Sequence, residues 1–208
     1  MMDAMDRTEL AYIGLGANVG ATRAAMVGAV AALSALPGAS VEAVSRLYRT
    51  RPVGPVAQDD FLNAVAALRV QAGTDAAQGA MALLTAMKGI ERAMGRQERG
   101  RWGPREIDLD LLLFGGHRLR LERGVSARSA DPGRPGVQWL EVPHPAAAER
   151  LFVLAPLADL APGLEPPGWD MSVAQAHSRA LEAEGPDGVR AIGAWDSSAS
   201  AWSEPSVS

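Results

Sequence analysis

Two aspartates interrupt an apolar, strand-like segment of the chain. The residues from Ile107 to Phe114 are apolar except for Asp108 and Asp110. Side chains on a strand alternate between its two faces, which places these carboxylates on one face about 7 Å apart. Two unpaired carboxylates about 5 Å apart repel each other by roughly 3 kcal/mol at an effective dielectric of about 20. The pair therefore predicts a cationic partner, either a divalent metal ion or arginine. The alternative is a solvated face of an edge strand.

An arginine-rich stretch directly precedes these aspartates. From Arg92 to Arg105 the chain has five arginines and one acid, Glu98, so fourteen residues carry a net charge of +4. The whole chain has a formal net charge of −4 and a pI near 5.4. A cluster of cations in an acidic protein predicts an anion site. For each arginine taken singly, a solvated surface charge is the alternative.

The composition limits the class of protein and the kind of metal site. With 208 residues, 48% hydrophobic and 21% charged, the chain is expected to form one globular domain with a real core. The chain has no cysteine, so any metal must be held by oxygen or imidazole, and oxygen ligands favour magnesium or manganese. The acidic balance argues against a nucleic-acid or anionic-membrane partner. The absence of a signal segment and of a convincing membrane span predicts a cytoplasmic protein.

Hydrophobic periodicity and the positions of Gly and Pro divide the chain into strands and helices. The predicted order is strand, helix, strand, strand, helix, strand, over residues 9–16, 22–36, 40–48, 61–70, 74–94 and the aspartate strand. This order has too few helices for alternating parallel units. It favours an α+β fold with a ferredoxin-like βαββαβ core, in which helices cover a mainly antiparallel sheet in a three-layer α-β-α arrangement.

The remaining segments predict a single domain over residues 1–182. After Gly115-Gly116, residues 117–121 are expected to pair back on the aspartate strand as a hairpin. A surface insertion rich in Gly, Pro, Ser and Arg follows at about 124–138, and further helices are predicted near 151–160 and 172–182. Residues 183–208 contain turn residues and many serines, which predicts a loosely ordered tail.

A glycine-rich motif near the N-terminus, Gly14 to Gly20, invites comparison with the dinucleotide-binding fingerprint. Its third glycine is one residue too late for G-x-G-x-x-G, and no βαβ unit surrounds it. We therefore interpret the motif as a tight turn from a strand into a helix, where small residues are needed.

Five blocks of the sequence, in order between residues 10 and 162, match one known family. They are residues 11–20, 45–55, 61–63, 91–110 and 142–157. The most specific match is Trp102-Gly103-Pro104-Arg105 followed at fixed spacing by Asp108-Leu109-Asp110. On these residues the chain resembles the 6-hydroxymethyl-7,8-dihydropterin pyrophosphokinases of folate biosynthesis.

The resemblance implies an activity and the residues that carry it out. The enzymes of this family transfer the β,γ-diphosphate of ATP to the hydroxymethyl oxygen of the pterin and release AMP. By resemblance, Asp108 and Asp110 hold two Mg²⁺ ions, and Arg96 and Arg105 contact the phosphates. ATP and a reduced pterin are then the partners of a monomeric chain.

The resemblance also implies two binding regions. The pterin region comprises Thr50, Pro52, Val53, Phe61, Asn63, Trp102 and Phe152. In it Phe61 and Phe152 sandwich the ring, and Asn63, Thr50 and the Val53 backbone supply hydrogen bonds. The ATP region comprises Glu91, Arg96, Arg99, Trp102, Arg105, Leu111, His144 and Arg150, with Trp102 on a mobile loop that closes over substrate. Taken singly, Phe61 and Trp102 also suit a core, His144 a loop and Glu91 a surface.

The chain departs from the family pattern at three points. The family usually has a second arginine two residues after the first, where this chain has Glu98 and places Arg99 one residue later. Trp139 stands where the family often has arginine, and the insertion at about 124–138 is longer than usual. These departures concern the contacts to ATP.

Two alternative functions suit parts of the same sequence. The first is a non-catalytic nucleotide- or RNA-binding module on a ferredoxin-like sheet, which displays stacking aromatics and a basic surface. Against it, the chain has only three Phe and two Tyr, an acidic balance, and carboxylates that would repel RNA phosphates. The second is a family member that binds pterin without transfer, but both aspartates are present.

Overall fold

The computed structural model describes residues 7–52, 58–97, 103–128 and 136–203. The strands and helices follow in the order β1 (Thr8–Ala17), α1 (Thr22–Ser34), β2 (Ser40–Val44), β3 (Leu47–Thr50), β4 (Phe61–Gln71), α2 (Ala76–Ala93), β5 (Asp108–Phe114), β6 (Leu119–Glu122), β7 (Trp139–Val142), α3 (Leu151–Leu160), α4 (Val173–Glu184), β8 (Val189–Gly193), β9 (Trp195–Asp196) and β10 (Ala201–Trp202).

The main sheet has the strand order β5-β1-β4-β3-β8, and β2 also pairs with β4. Its pairings are antiparallel over the described residues. The longest pairing joins β1 to β4, from Thr8 opposite Gln71 to Ala17 opposite Leu62. The strands β2 and β3 together occupy the place of the single strand predicted at 40–48. The ferredoxin-like order is therefore confirmed, with one strand divided in two.

Helices cover both faces of this sheet. On one face, Met26 of α1 and Met87 of α2 are fully buried in the same cluster as Ile13 of β1. On the other face, Leu157 of α3 and Val173 at the start of α4 pack in a cluster with strand residues of β1, β4 and β5. Complete burial of an apolar side chain of this size contributes about 1.5–3 kcal/mol to the free energy of folding. The three-layer α-β-α arrangement is confirmed.

Side chains at the helix ends explain where two of the helices begin. The Asp75 carboxylate accepts the Gln78 N–H at 2.8 Å and starts α2. Ser172 and Gln175 form a reciprocal capping box that starts α4. Such caps satisfy N–H groups that have no partner within the helix.

Two predictions about the second half of the chain are wrong. The segment after Gly116 does not fold back on β5, because β6 pairs with β7 instead, with Leu119 opposite Val142. The predicted loose tail is also wrong for residues 189–203. There β8 extends the main sheet along β3, and Trp202 is only 4% exposed. The Trp202 indole donates to the Ser45 carbonyl at 2.8 Å, so an aromatic anchor holds the segment in place.

Among the residues that the structure describes, none of the helices combines the length and the apolarity needed to cross a lipid bilayer.

Candidate active site

A cavity of about 1090 Å³ opens on the face of the sheet opposite α1 and α2. Its wall combines residues of β1, β3, β4 and β5 with the last turns of α2 and the start of α3. Most of the predicted site residues lie in this wall: Thr50, Phe61, Asn63, Glu91, Arg96, Arg105, Asp108, Asp110, His144, Arg150 and Phe152. Residues far apart in sequence thus meet at one place, as the prediction required.

Two glycines of β1 form the floor of the cavity. Gly16 is paired with Asp108 on one side and with Asn63 on the other, and Gly14 is paired in the same way with Asp110. A Cβ atom at Gly16 would lie 3.2 Å from the Asn63 Oδ1 atom. Side chains at these positions would occupy the space between the aspartates and β4. The glycine motif therefore leaves the floor to backbone, which a ligand can approach closely.

Asp108 is bound by two arginines. Its Oδ1 atom accepts from Arg96 at 2.6 Å, and its Oδ2 atom accepts from Arg105. Arg105 is itself held in place, because Asn18 accepts the Arg105 N–H at 2.7 Å and donates its own N–H to the Arg105 carbonyl at 2.9 Å. The buried turn after β1 thus positions the loop that precedes the aspartate strand.

Asp110 differs from Asp108 in its surroundings. No described residue donates a hydrogen bond to its carboxylate, which faces the cavity. Burial raises the pKa of this carboxyl, but interactions with Lys88, His144, Arg105 and Arg96 outweigh burial, so the net direction of the pKa is downward. Asp110 is therefore an ionised oxygen ligand available to a cation.

A buried ionic network supports the aspartates from α2. Glu91, only 3% exposed, accepts from Lys88 Nζ at 2.7 Å, from Arg96 at 2.5 Å and from the Leu109 N–H at 2.7 Å. Burial lowers the pKa of Lys88, although the charge of Glu91 opposes that shift. The hydrogen bond from Leu109, the residue between the two aspartates, fixes β5 to α2. The ion pair between Glu91 and Arg96 holds that arginine toward Asp108. Glu91 is thus a buried bridging acid, and its surface interpretation is wrong.

His144 lies in the cavity wall close to Asp110. Burial lowers the pKa of His144, and although the charge of Asp110 opposes this shift, the nearby cations Arg150 and Arg123 act in the same direction as burial. In its neutral form, the imidazole accepts the Ala146 N–H at its Nδ1 atom, at 3.3 Å. Its proton therefore belongs on Nε2, which can donate to a ligand.

The β3 and β4 end of the cavity contains a buried polar pair flanked by aromatic rings. The Asn63 amide donates to the Thr50 hydroxyl at 2.7 Å, and both residues are buried. No described residue donates to the Asn63 carbonyl oxygen, which leaves an acceptor for a ligand. Phe61 and Phe152 contribute to the same wall. A flat heterocycle with amide-like edges suits such a site.

Some predicted residues do not line the cavity. The Leu111 side chain lies in the core on the α1 and α2 side of the sheet, because strand alternation turns it away from the aspartates. Any contact of Leu111 with a ligand is left to its backbone. Pro52 is not in the cavity wall. Val53, Arg99 and Trp102 lie outside the described residues.

The cavity wall also contains charged residues that were not named among the predicted site residues. They are Arg51, Lys88, Arg92, Arg123, Arg128 and Glu184. A signal for Lys88 exists in the sequence, because it follows Met87 on the apolar stripe of α2 and lies one turn before Glu91. The arginines of the insertion gave no such signal, since their direction depends on how the insertion folds.

The acidic residues of the cavity fit magnesium that is shared with a phosphate ligand. Within the described part of the chain, no group of three or more His, Asp or Glu side chains could hold a metal alone. Magnesium in phosphate-transfer sites is commonly held by one or two carboxylates, with the phosphates completing its shell. Asp110 provides an accessible carboxylate. Each Asp108 oxygen, although bound to arginine, retains a second lone pair.

Comparison with known proteins finds one matching family and several named relatives. Residues 12–162 match the family model described as 7,8-dihydro-6-hydroxymethylpterin-pyrophosphokinase (HPPK). Relatives named 2-amino-4-hydroxy-6-hydroxymethyldihydropteridine pyrophosphokinase include one from Methylorubrum extorquens, 42% identical over 154 residues, covering 74% of this chain and 84% of the relative. Another, from Pseudomonas aeruginosa, is 41% identical over 156 residues, covering 75% of this chain and 83% of the relative.

Solved structures resemble the fold at low sequence identity. A crystal structure of HPPK-DHPS in complex with substrates has a TM-score of 0.67 and 11% identity, covering 94% of this chain and 48% of that one. Plasmodium falciparum HPPK-DHPS, with pterin and p-hydroxybenzoate, has a TM-score of 0.65 and 15% identity, covering 98% of this chain and 48% of that one. The chain spans about half the length of these solved chains.

Proposed function

The chain belongs to the 7,8-dihydro-6-hydroxymethylpterin-pyrophosphokinase family, and we propose that it transfers the β,γ-diphosphate of ATP to the hydroxymethyl oxygen of 6-hydroxymethyl-7,8-dihydropterin. The products are AMP and the pterin diphosphate. One observation carries the proposal. A cavity floored by Gly14 and Gly16 has a buried amide and aromatic rings on its β4 side and two aspartates with their arginines on its β5 side. A heterocycle and a polyphosphate can therefore lie next to each other on one sheet.

Residues of β3, β4 and α3 bind and orient the pterin. The Thr50–Asn63 hydrogen bond fixes the amide plane, so that the Asn63 carbonyl oxygen accepts from an N–H of the ring. Phe61 and Phe152 cover the ring faces and exclude water from the reacting oxygen. Val53, Pro52 and Trp102 complete this region in the proposal.

Residues around Asp108 bind the phosphates. Arg96 and Arg105 are already directed at the site by Asp108, and their guanidinium groups suit phosphate oxygens better than lysine does. Asp108 and Asp110 would hold two Mg²⁺ ions, which, when bound, neutralise phosphate charge and align the reacting oxygens. His144 and Arg150 contact the nucleotide, and we keep Glu91, Arg99 and the Leu111 backbone in the same region. Positioning and electrostatics then supply most of the catalysis.

The proposed partners are ATP and the reduced pterin alone, without nucleic acid. We also propose that the chain acts as a monomer, because one chain supplies both ends of the cavity. Light scattering coupled to size exclusion measures the mass of the active species. Activity confined to a dimer would contradict the monomer.

The activity is tested by AMP formation from ATP and 6-hydroxymethyl-7,8-dihydropterin in the presence of Mg²⁺. We expect pterin-dependent AMP from the wild-type chain and a loss of about 10²–10³ in kcat for Asp110→Asn. The matched control is Asp187→Asn, which alters an exposed acid outside the cavity. Absence of pterin-dependent AMP from the wild type would contradict the activity. Normal turnover of Asp110→Asn would instead contradict its assignment as a metal ligand.

A further inference from the structure

The chain brings two arginines into the cavity wall where it passes from β6 into the insertion. Arg123 directly follows β6, Arg128 follows a short helical turn, Val125–Ala127, and both side chains line the cavity. We propose that these insertion arginines, Arg123 and Arg128, bind the phosphates of the nucleotide and so replace the arginine that is missing at Trp139. This inference rests on the proposed function, because it deepens the account of the same cavity.

The insertion is anchored beside the cavity at its start. Ala127 is fully buried and belongs to the main core cluster. The neighbouring Ser126 carbonyl accepts a hydrogen bond from Arg92 of α2 at 3.1 Å. Because α2 also contains Lys88 and Glu91, this contact joins the insertion to the helix that supports the aspartates.

The two guanidinium groups are held by backbone contacts. Arg123 Nε donates to the Trp139 carbonyl at 2.9 Å, and Arg128 Nε donates to the Arg123 carbonyl at 2.9 Å. Arg128 also forms an ion pair with Glu122 at 2.8 Å, which offsets part of its charge. Arg123 therefore reaches the cavity from the position of Trp139. Fixing the side chains in advance reduces the entropy lost on binding.

Arg123 acts on the nucleotide side of the cavity. Arg123 lines the cavity together with His144 and Arg150, and its Nε atom donates to the carbonyl of Trp139 on β7, the strand that leads directly to the His144 loop. His144 and Arg150 are the residues that we assign to the nucleotide. The Thr50–Asn63 pair, which we assign to the pterin, lies on β3 and β4.

The charge of the whole wall identifies the chemical class of ligand. Over the described residues, eight cationic side chains line the cavity against four acidic ones: Arg51, Lys88, Arg92, Arg96, Arg105, Arg123, Arg128 and Arg150 against Glu91, Asp108, Asp110 and Glu184. The whole chain has the opposite sign, with a formal net charge of −4. A neutral pterin does not require this excess of cations, whereas a nucleotide polyphosphate does.

The experiment measures the affinity of the full chain for α,β-methylene-ATP with Mg²⁺ by calorimetry, and the KM for pterin at saturating ATP. We expect Arg123→Ala and Arg128→Ala each to weaken nucleotide binding by about threefold to tenfold, with the KM for pterin unchanged. Arg123→Gln, which keeps a donor for the Trp139 carbonyl, should lose affinity nearly as far as Arg123→Ala. It therefore tests the charge even if Arg123→Ala unfolds.

Arg120→Ala is the matched control. Arg120 lies on β6, just before the insertion arginines, stacks 4.2 Å from the Trp139 ring centroid and pairs with Glu141, but does not line the cavity. Wild-type affinity in folded Arg123→Gln would overturn the proposal, as would an equal loss in Arg120→Ala or an equal rise in the KM for pterin. If the wild type forms no AMP but the insertion variants still lose nucleotide affinity, the proposed function fails and the phosphate contact stands. If turnover is normal and affinity is unchanged, the phosphate contact alone fails.

Discussion

Replacing Glu91 with glutamine tests whether the buried network holds the aspartate strand. The substitution keeps the shape of the side chain and one oxygen to accept the Leu109 N–H, now 2.7 Å from the carboxylate. It removes the negative charge between Lys88 and Arg96, whose nitrogens lie 2.7 Å and 2.5 Å from the Glu91 oxygens. Glu91→Gln therefore separates the charge of the network from its hydrogen bonds.

The expected loss of stability follows from the burial of these groups. Glu91 is 3% exposed and the Lys88 side chain is 13% exposed, so solvent replaces little of the lost attraction. Breaking a buried ion pair from one side costs about 3–5 kcal/mol, and retention of the Leu109 contact favours the lower end, about 3 kcal/mol. For a chain of this size, that corresponds to a decrease in unfolding temperature of about 6–12 °C.

The loss should depend on pH in a direction fixed by Lys88. Burial lowers the pKa of Lys88 in the folded state below the ordinary value of 10.5. Between the folded pKa and the ordinary value, the unfolded chain binds more protons, so stability rises with pH. Without Glu91, the pKa of Lys88 in the folded state falls further. The pH range in which stability rises with pH therefore extends toward neutral pH. The loss of unfolding free energy in Glu91→Gln is therefore expected to decrease from pH 7 to pH 10. The part of the loss that comes from Arg96 persists over this range.

The assay is urea unfolding followed by tryptophan fluorescence, with Lys88→Met as the matched background. We expect Glu91→Gln to cost about 3 kcal/mol in the wild type and clearly less beside Lys88→Met, since the unpaired ammonium is then absent. A cost below about 0.5 kcal/mol in the wild type, the level typical of surface substitutions, would refute the reasoning. Equal costs in the two backgrounds would show that Lys88 does not depend on Glu91.

Three further predictions concern the pterin contact, the C-terminal segment and the arginine-bound aspartate. Asn63→Leu is expected to raise the KM for pterin by about tenfold without changing the KM for ATP, because one buried hydrogen-bonding group is lost; steady-state kinetics would contradict this if both constants moved together. Trp202→Ala is expected to lower the free energy of unfolding in urea by about 3–5 kcal/mol. Replacement of the half-exposed Trp139 with alanine is the control. Equally small losses in the two variants would contradict the role of Trp202 as an anchor. Asp108→Asn leaves Arg96 and Arg105 without their shared counter-ion. In the presence of EDTA, this variant is therefore expected to bind ATP more tightly than the wild type does. Equal ATP affinity of the two proteins in EDTA would contradict the pairing of Asp108 with the two arginines.

The arrangement of the main elements was predictable because local patterns determine it. Alternation along β1, β4 and β5 and the long apolar stripe of α2 establish the strands, the helix and their buried faces. The division of the second strand was not visible. It occurs at Ser45, whose hydroxyl accepts the Val65 N–H at 2.9 Å and donates to the Arg46 carbonyl. That break depends on a partner twenty residues away.

The strand face on which the two aspartates lie was predictable, whereas the residues that hold them in place were not. The period of two along a strand is sufficient to place Asp108 and Asp110 together. The contacts that hold them are long-range: Asn18 to Arg105, and Glu91 to the Leu109 N–H. A single sequence gives no direct measure of such contacts, so Lys88 and the insertion arginines were missed.

The C-terminal segment was wrongly predicted because composition outweighed a few informative residues. Serines and turn residues indicated disorder, but two of the five tryptophans of the chain, Trp195 and Trp202, lie in this stretch. Their rings pack edge to face with centroids 4.7 Å apart. Large aromatic side chains bury enough area to order a short segment, so they should have been given more weight than the serines.

The central claim is that ATP is cleaved between its α- and β-phosphates and that the diphosphate passes to the pterin. Phosphorus NMR of a reaction containing ATP, Mg²⁺ and 6-hydroxymethyl-7,8-dihydropterin distinguishes this outcome directly. The account predicts that AMP and a pterin diphosphate appear in equal amounts, and that Asp110→Asn forms neither at a comparable rate. ADP with a pterin monophosphate, or AMP with free diphosphate and unchanged pterin, would contradict it.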